Sequence, residues 1–309
     1  MLITVAICTL NRAESLRRTL DSLAAMRLPD HLDWEVLVVD NGCADHTDAV
    51  IEAFAGRLPI RREFEPRRGH TPARNHAVDA AKGEYIVWTD DDVVVDPGWL
   101  AAYAEAFCHR PEAALFGGPV IPRYASPAPA WLTESLTVVG PMVAFRDFGA
   151  EPIPLSIAGH RIPYGPSFAL RAAEHRKFRY DPAFGVGPGQ QRVGEETDVI
   201  ARVLQSGATG YWVPAARVEH CIGAERQTLD YVVRFFANLG ETAAFRGAKE
   251  IAGVRFWFGV PRWACRQLIE GWLGYHLHRL ISPAPVWMAH LKAYAMATGA
   301  IRYWRSERR

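Results

Sequence analysis

The chain has 309 residues, 49% of them hydrophobic and 22% charged, with 35 Lys and Arg against 34 Asp and Glu. The apolar content excludes a disordered chain, the net charge of +1 argues against wholesale nucleic-acid binding, and the length fits one large domain or a domain with an appendage. Five scattered cysteines (Cys8, Cys43, Cys108, Cys221 and Cys265), none spaced as CxxC, argue against a disulfide framework or a zinc knuckle and suit a reducing compartment. The opening MLITVAICTLNR lacks the basic start and long apolar run of a signal peptide, and Leu2–Cys8 predicts a strand ending in a turn at Thr9–Arg12. Leu16, Leu20 and Leu23 then form a helical stripe. Glu35–Val39 is apolar without alternation, the mark of a strand buried on both faces, and Asp40-Asn41-Gly42 closes it. A helix over Asp45–Phe54, a strand near Ile60–Phe64, a helix over Thr71–Ala81 and a strand over Glu84–Thr89 follow. Asp96-Pro97 opens another helix and Ala113–Phe116 a fifth strand. Such repeated βα units predict an α/β fold, a mostly parallel sheet with helices on both faces and ligands at the carboxyl ends of the strands.

From Gly117 to about Pro163 the chain is rich in Pro and Gly and reads as irregular loops over the sheet. Ser167–Leu170 is strand-like, Gly185–Gly194 is a Gly-rich loop, a helix runs from Glu195 to Gln205, and Tyr211–Val213 is a strand. From Gln227 the pattern is helical, broken at Pro261 and at Pro283 and Pro285. Residues 241–309 carry 11 Lys and Arg against 4 Asp and Glu, whereas the first 240 carry 24 against 30. The same tail holds five of the ten tryptophans: Trp257, Trp263, Trp272, Trp287 and Trp304. Arginine mixed with tryptophan on helical stretches suits an anionic membrane surface, and equally a helical subdomain packing its aromatics inward. No stretch reaches the roughly 18 uncharged residues of a spanning helix. The expectation is a cytoplasmic protein, peripheral at the inner face of a membrane if the tail binds lipid.

Three segments carry candidate chemistry. Asp90-Asp91-Asp92 ends a buried strand, where three carboxylates need a compensating cation. Asp90 and Asp92, two residues apart, can aim at one ligand, and Mn²⁺ or Mg²⁺ bound to phosphate oxygens fits. The segment Pro66 to Asn75 is cationic and starts a helix, so backbone N–H groups and Arg74 suit a phosphate, although neither a P-loop nor GxGxxG is present. Gly194-Glu195-Glu196-Thr197-Asp198 opens a helix. At about 100° per residue, Glu196 lies near the centre of the stripe defined by Val199, Ile200, Val203 and Leu204, Glu195 lies at its flank, and Asp198 faces outward toward Arg202. An inward carboxylate beside a Gly-rich loop suits a general base. His220, alone in its segment, reads as a packed side chain unless the acidic triplet lies beside it.

In order along the chain these pieces resemble the family 2 glycosyltransferases of the GT-A, Rossmann-like fold. The likeness runs from Val5 to about Gly240 and rests on Cys8-Thr9-Leu10-Asn11-Arg12, Val38 to Asp45, Gly69 to Asn75, Thr89-Asp90-Asp91-Asp92, Gly165 to Arg171 and Gly194 to Asp198. The resemblance implies a domain over residues 1–226, with a nucleotide-sugar half at 1–118 and an acceptor half at 119–226, followed by a helical region at 227–309. It implies that Thr9, Asn11, Arg12 and Asp40 line the nucleotide base pocket, with Arg74 near the base or diphosphate. Asp90 would hold the ribose and Asp92 the metal, Asp91 would stand among the donor-binding residues, and His220 would complete the metal or diphosphate site. Glu196 stands where the family has Asp, so the base is Glu196 or its neighbour Glu195. The implied reaction is single-sugar transfer with inversion from a UDP-, GDP- or dTDP-sugar to a glycan or lipid-linked acceptor, with Mn²⁺ or Mg²⁺. The rivals are a sugar nucleotidyltransferase, which would want a Gly-rich basic loop after the first strand, and a non-catalytic membrane-associated scaffold, in which the acidic triplet should have decayed.

Overall fold

A computed structural model of the chain describes residues 1–188, 190–248 and 253–306. These divide into two compact units, residues 1–123, 146–190 and 195–221 in the first, and 124–145, 191–194 and 222–309 in the second. The division is therefore not the linear one expected at 226.

In the first unit the expected βα alternation is present. Strand β1 (Leu2–Thr9) leads to α1 (Ala13–Ala24), β2 (Asp33–Asp40) to α2 (Thr47–Phe54), and β3 (Ile60–Phe64) to α3 (His70–Ala80). Then come β4 (Tyr85–Trp88), β5 (Val93–Val95), α4 (Trp99–His109), β6 (Leu115–Gly117) and β7 (Val120–Tyr124). The described residues form a seven-stranded sheet in which β1 pairs in parallel with β2 and β4, and β2 with β3. Val36–Val39 are wholly buried, as a central strand covered on both faces requires. Leu16, Leu20 and Leu23 are the buried face of α1, as the stripe predicts.

Beyond Gly165 the chain supplies β8 (Phe168–Arg171), α7 (Ala172–Lys177), β9 (Gly185–Gly187), β10 (Gln190–Arg192), α8 (Glu195–Gln205), β11 (Gly210–Trp212) and β12 (Val218–Ile222). Strand β8 lies between β4 and β6 and runs antiparallel to both, so the sheet is mixed, with one reversed strand inside an otherwise parallel array. The Gly-rich stretch after Gly185 pairs as β9 and β10 instead of remaining a loop. The short strand β5 pairs antiparallel with β12, placing His220 opposite Val93. That pairing brings His220 to the acidic triplet. Registers Thr9 with Asp40 and Ala6 with Trp88 show that β1, β2 and β4 leave the sheet at one edge, their carboxyl ends.

In the second unit, α5 (Ala130–Glu134) and α6 (Leu136–Val139) belong with α9 (Leu229–Gly247), α10 (Arg262–Ile281) and α11 (Ala284–Ser306). Leu132, Val139, Met142 and Val143 from the Pro-rich middle bury themselves with Val232, Phe236, Met288 and Leu291. This shared core gives residues 124–145 to the helical unit. A hairpin of β13 (Phe256–Trp257) and β14 (Val260–Pro261) precedes α10. Helices α9 and α11 approach closely because Gly299 has no side chain: a Cβ there would stand 1.8 Å from the Ala237 carbonyl oxygen. Gly299→Ala must push two helix backbones apart, so we expect a loss of about 3 kcal/mol, at the upper end of overpacking penalties, read as a lower Tm. Among the described residues no helix is long and apolar enough to cross a membrane.

Candidate active site

The carboxyl edge of the sheet is first a set of loops tied to one another. Asn11 adopts a positive φ of 53°, and its side-chain oxygen accepts the Ala44 N–H at 2.7 Å. Asp40 is buried, accepting the N–H groups of Gly42 at 3.0 Å and Cys43 at 2.7 Å on one oxygen and Arg62 on the other. Burial opposes its charge, but these donors hold the carboxyl below its usual range. Asn41 accepts the Gly69 N–H at 2.8 Å and so fixes the start of α3. Thus Asn11 and Asp40 spend their polar atoms on shaping the loops at the carboxyl edge of the sheet. Burial pushes the Cys43 thiol up to about 11.

The acidic triplet fans out. Asp91 is buried, accepts the Thr9 hydroxyl at 2.7 Å and pairs with Arg12 Nη1 at 2.8 Å. Arg12 Nη2 reaches Asp92 Oδ2 at 2.6 Å, so one half-exposed guanidinium supplies the compensating cation for two carboxylates. Burial nevertheless pushes Asp91 up to about 6 against the pull of Arg12, with Asp92 adding to the rise. Asp91 and Thr9 therefore brace β1 against β4. On the other side of Asp92, Oδ1 lies 3.4 Å from His220 Nε2, and both residues are buried. A carboxylate and an imidazole at that spacing are the two groups here that could share one divalent cation. Among the described residues no cluster of three or more His, Cys, Asp or Glu is arranged to hold a metal by protein groups alone.

Asp90 faces the other way, toward α3 and α8. Arg74, buried to within 3% of full enclosure, has Nη2 3.6 Å from Asp90 Oδ1 and Nη1 3.6 Å from both Glu195 Oε1 and Glu196 Oε2. Its guanidinium lies over the rings of Trp88 and Tyr180, and Nη1 has no hydrogen-bond partner. Asn75, the next residue, anchors the chain at Tyr180, donating to its carbonyl at 2.9 Å and accepting its N–H at 3.0 Å. Gly165 forms the floor beneath these charges. A Cβ there would stand 3.2 Å from Arg74 Nη2, 3.6 Å from Glu196 Oε1 and 3.9 Å from Asp90 Oδ2, so any side chain would fill the space the three groups share.

The two glutamates differ in a way the helix stripe misplaces. Glu195 is the buried one, and Glu196 keeps 20% of its side chain exposed. At the first turn of α8 burial is set by what stands opposite, and α3 stands over Glu195: His70 Nδ1 lies 2.7 Å from its Oε1. Burial raises the Glu195 carboxyl, but His70 and Arg74 outweigh it and hold it at about 2. Burial together with the charge on Glu195 pushes Glu196 up to about 7, against Arg74. Neighbouring carboxylates driven apart in this way separate into an ionised anchor and a group poised to exchange a proton near neutrality. Asp198 pairs with Arg202 at 2.8 Å, as expected, and is exposed about as much as Glu196.

Two residues of the site give no local sign of their place in it. His70 stands inside the Gly69 to Asn75 motif without a sign of its carboxylate partner, and Gly165 opens the Gly165 to Arg171 segment without a sign that Arg74, Glu196 and Asp90 meet over it.

With this geometry in view, the comparisons with known proteins are specific. Residues 4–152 match the family described as Glycosyl transferase family 2. The chain is 28% identical over 258 residues to the succinoglycan biosynthesis protein ExoM of Rhizobium meliloti (strain 1021), covering 82% of this chain and 77% of that protein. It is 23% identical over 239 residues to the glucosyl-dolichyl phosphate glucuronosyltransferase of Haloferax volcanii, covering 75% and 73%. The fold is similar to the mannosyltransferase PcManGT from Pyrobaculum calidifontis in complex with GDP-Man and Mn²⁺, with a TM-score of 0.62 at 17% identity over 96% of this chain and 85% of that one. It is also similar to S. aureus TarS 1–349 in complex with UDP-GlcNAc, with a TM-score of 0.57 at 14% identity over 98% and 92%.

Proposed function

Because the chain belongs to glycosyltransferase family 2, we propose that it moves one sugar from a nucleotide-sugar donor to a glycan or lipid-linked acceptor, with inversion at the anomeric carbon. The observation that carries this reading is the convergence of Asp90, Arg74 and Glu196 on the space left bare at Gly165. In the reaction Glu196 takes the proton of an acceptor hydroxyl as that oxygen attacks the anomeric carbon. The bond from that carbon to the diphosphate oxygen breaks, and its electron pair leaves with the nucleoside diphosphate. Attack opposite the departing group gives the inverted product. Arg74, whose Nη1 makes no hydrogen bond within the protein, meets the leaving phosphate oxygens, and Asp90 orients the ribose.

The residues fit a divalent cation, Mn²⁺ or Mg²⁺. Asp92 and His220 would hold it, and it would neutralise charge developing on the diphosphate. The need is plain from the charges. Asp90, Asp91, Asp92, Glu195 and Glu196 face Arg12 and Arg74, so a bound diphosphate would add negative charge to a site already rich in it. Thr9, Asn11, Arg12 and Asp40 shape the wall on which a UDP-, GDP- or dTDP-sugar base rests. A lipid-linked acceptor would be met at the inner face of a membrane, with residues 241–309 against anionic lipid. Part of that stretch, 249–252 and 307–309, lies outside the described residues.

The test is release of nucleoside diphosphate from a panel of UDP-, GDP- and dTDP-sugars, followed across pH. A base must be ionised to act, and kcat/KM reports the free enzyme. With Glu196 at about 7, kcat/KM should climb tenfold per pH unit below that value and level off above it. A profile flat from pH 5 to 8 would remove Glu196 from the role.

A further inference from the structure

We infer that the bare face of α10, with the tip of the hairpin before it, docks flat on the surface of an anionic lipid bilayer. The inference rests only on the peripheral location in the reading above, not on its chemistry. It assigns the contact to one surface within residues 241–309. One side of α10 is committed to the protein: a Cβ at Gly271 would stand 2.6 Å from the Tyr294 nitrogen, and one at Gly274 would stand 2.3 Å from the His290 ring. The opposite side is left exposed by the described residues. Ile269, Leu273, Leu277 and Leu280 recur at helical spacing along it and are between 55% and 85% exposed. Trp263 and Trp272 flank this stripe, and the hairpin tip presents Trp257 beside a fully exposed Phe258. A run of large apolar side chains this long and this exposed marks an interaction surface.

Charge decides the occupant. Residues 253–283 carry Arg255, Arg262, Arg266 and Arg279 against the single acid Glu270, which Arg266 already engages at 2.7 Å. A two-fold contact between copies of this chain would set these arginines against one another with almost nothing to neutralise them. Anionic headgroups neutralise them, while the leucines and aromatic rings enter the acyl boundary. The helix lies in the plane, since no described helix is long and apolar enough to cross. The tail's tryptophans divide accordingly: Trp287 and Trp304 are buried in the helical core, whereas Trp257, Trp263 and Trp272 are exposed.

The test is flotation of the full chain, without donor or acceptor, on vesicles of phosphatidylcholine with and without phosphatidylglycerol, at low and high salt. Failure here leaves the sugar-transfer reading untouched, because no turnover is read. Binding is expected only with phosphatidylglycerol, weakened by salt and accompanied by a blue shift of tryptophan emission. Each exposed leucine contributes enough that Leu273→Ser with Leu277→Ser should weaken binding at least about tenfold, and Phe258→Ser should weaken it in the same sense. These side chains face solvent, so circular dichroism and Tm should be unchanged. The inference is overturned by absence of binding to phosphatidylglycerol vesicles, or by binding that survives all three substitutions. It is equally overturned by a dimer in light scattering that the same substitutions dissolve, which would make the face an interface between copies.

Discussion

Asp92→Ala is expected to lower metal-dependent release of nucleoside diphosphate by at least about a thousandfold, the rate equivalent of roughly 4 kcal/mol of charge stabilisation. The reason is positional. Asp92 alone in the triplet turns one oxygen to Arg12 and the other to His220, whereas Asp91 is held by Thr9 and Arg12 and Asp90 faces Arg74. Arg12 retains Asp91 when Asp92 is removed, so the fold should persist, and Asp92→Asn keeps the shape while removing the charge. Titration of Mn²⁺ against both variants, in the presence of nucleoside diphosphate, reads the ligand role separately from turnover. Turnover in both variants equal to that of the unaltered chain would reject Asp92 as ligand.

Glu196→Gln should keep donor affinity and lose transfer by at least about a hundredfold, the usual size of general-base catalysis. The amide is isosteric and cannot accept the acceptor's proton, and the acid limb near pH 7 should vanish with it. Glu195→Gln gives the opposite signature. Glu195 is tied to His70 at 2.7 Å and held ionised at about 2, so its removal strips a half-exposed histidine and the buried Arg74 of their counter-charge and lowers Tm. Its stabilising contribution is present above the ordinary glutamate range and fades only as pH falls toward 2. A hundredfold loss of transfer in Glu195→Gln, with Glu196→Gln active, would exchange the two roles.

How much of this was legible in the sequence depends on how local the cause is. Apolar runs such as Glu35–Val39 disclose buried strands because their neighbours along the chain carry the pattern. The direction of β8 leaves no such mark, since a four-residue strand reads the same either way. Strand β5 is three residues long and exists through β12, more than a hundred positions later. His220 therefore resembled a packed side chain until that pairing set it beside Asp92. At α8 the helical stripe places Val199, Ile200 and Val203 inside, as found, and fails at Glu195 because His70 and Arg74 on α3 decide burial in the first turn. Residues 124–145 have no period, and their membership in the helical unit shows only when Leu132, Val139 and Val143 meet α9 and α11. The tail's tryptophans were ambiguous for a related reason: side chains buried at Trp287 and exposed at Trp272 carry the same letter.

The most direct test of the central claim is a crystal grown with Mn²⁺ and a nucleoside diphosphate, with data collected at the manganese edge. The account predicts one anomalous peak touching Asp92 and His220 on the protein side and the diphosphate on the other, with Arg74 on a phosphate oxygen. A well-ordered nucleotide with manganese elsewhere, or with Asp92 still closed on Arg12 and no metal beside it, would contradict the account.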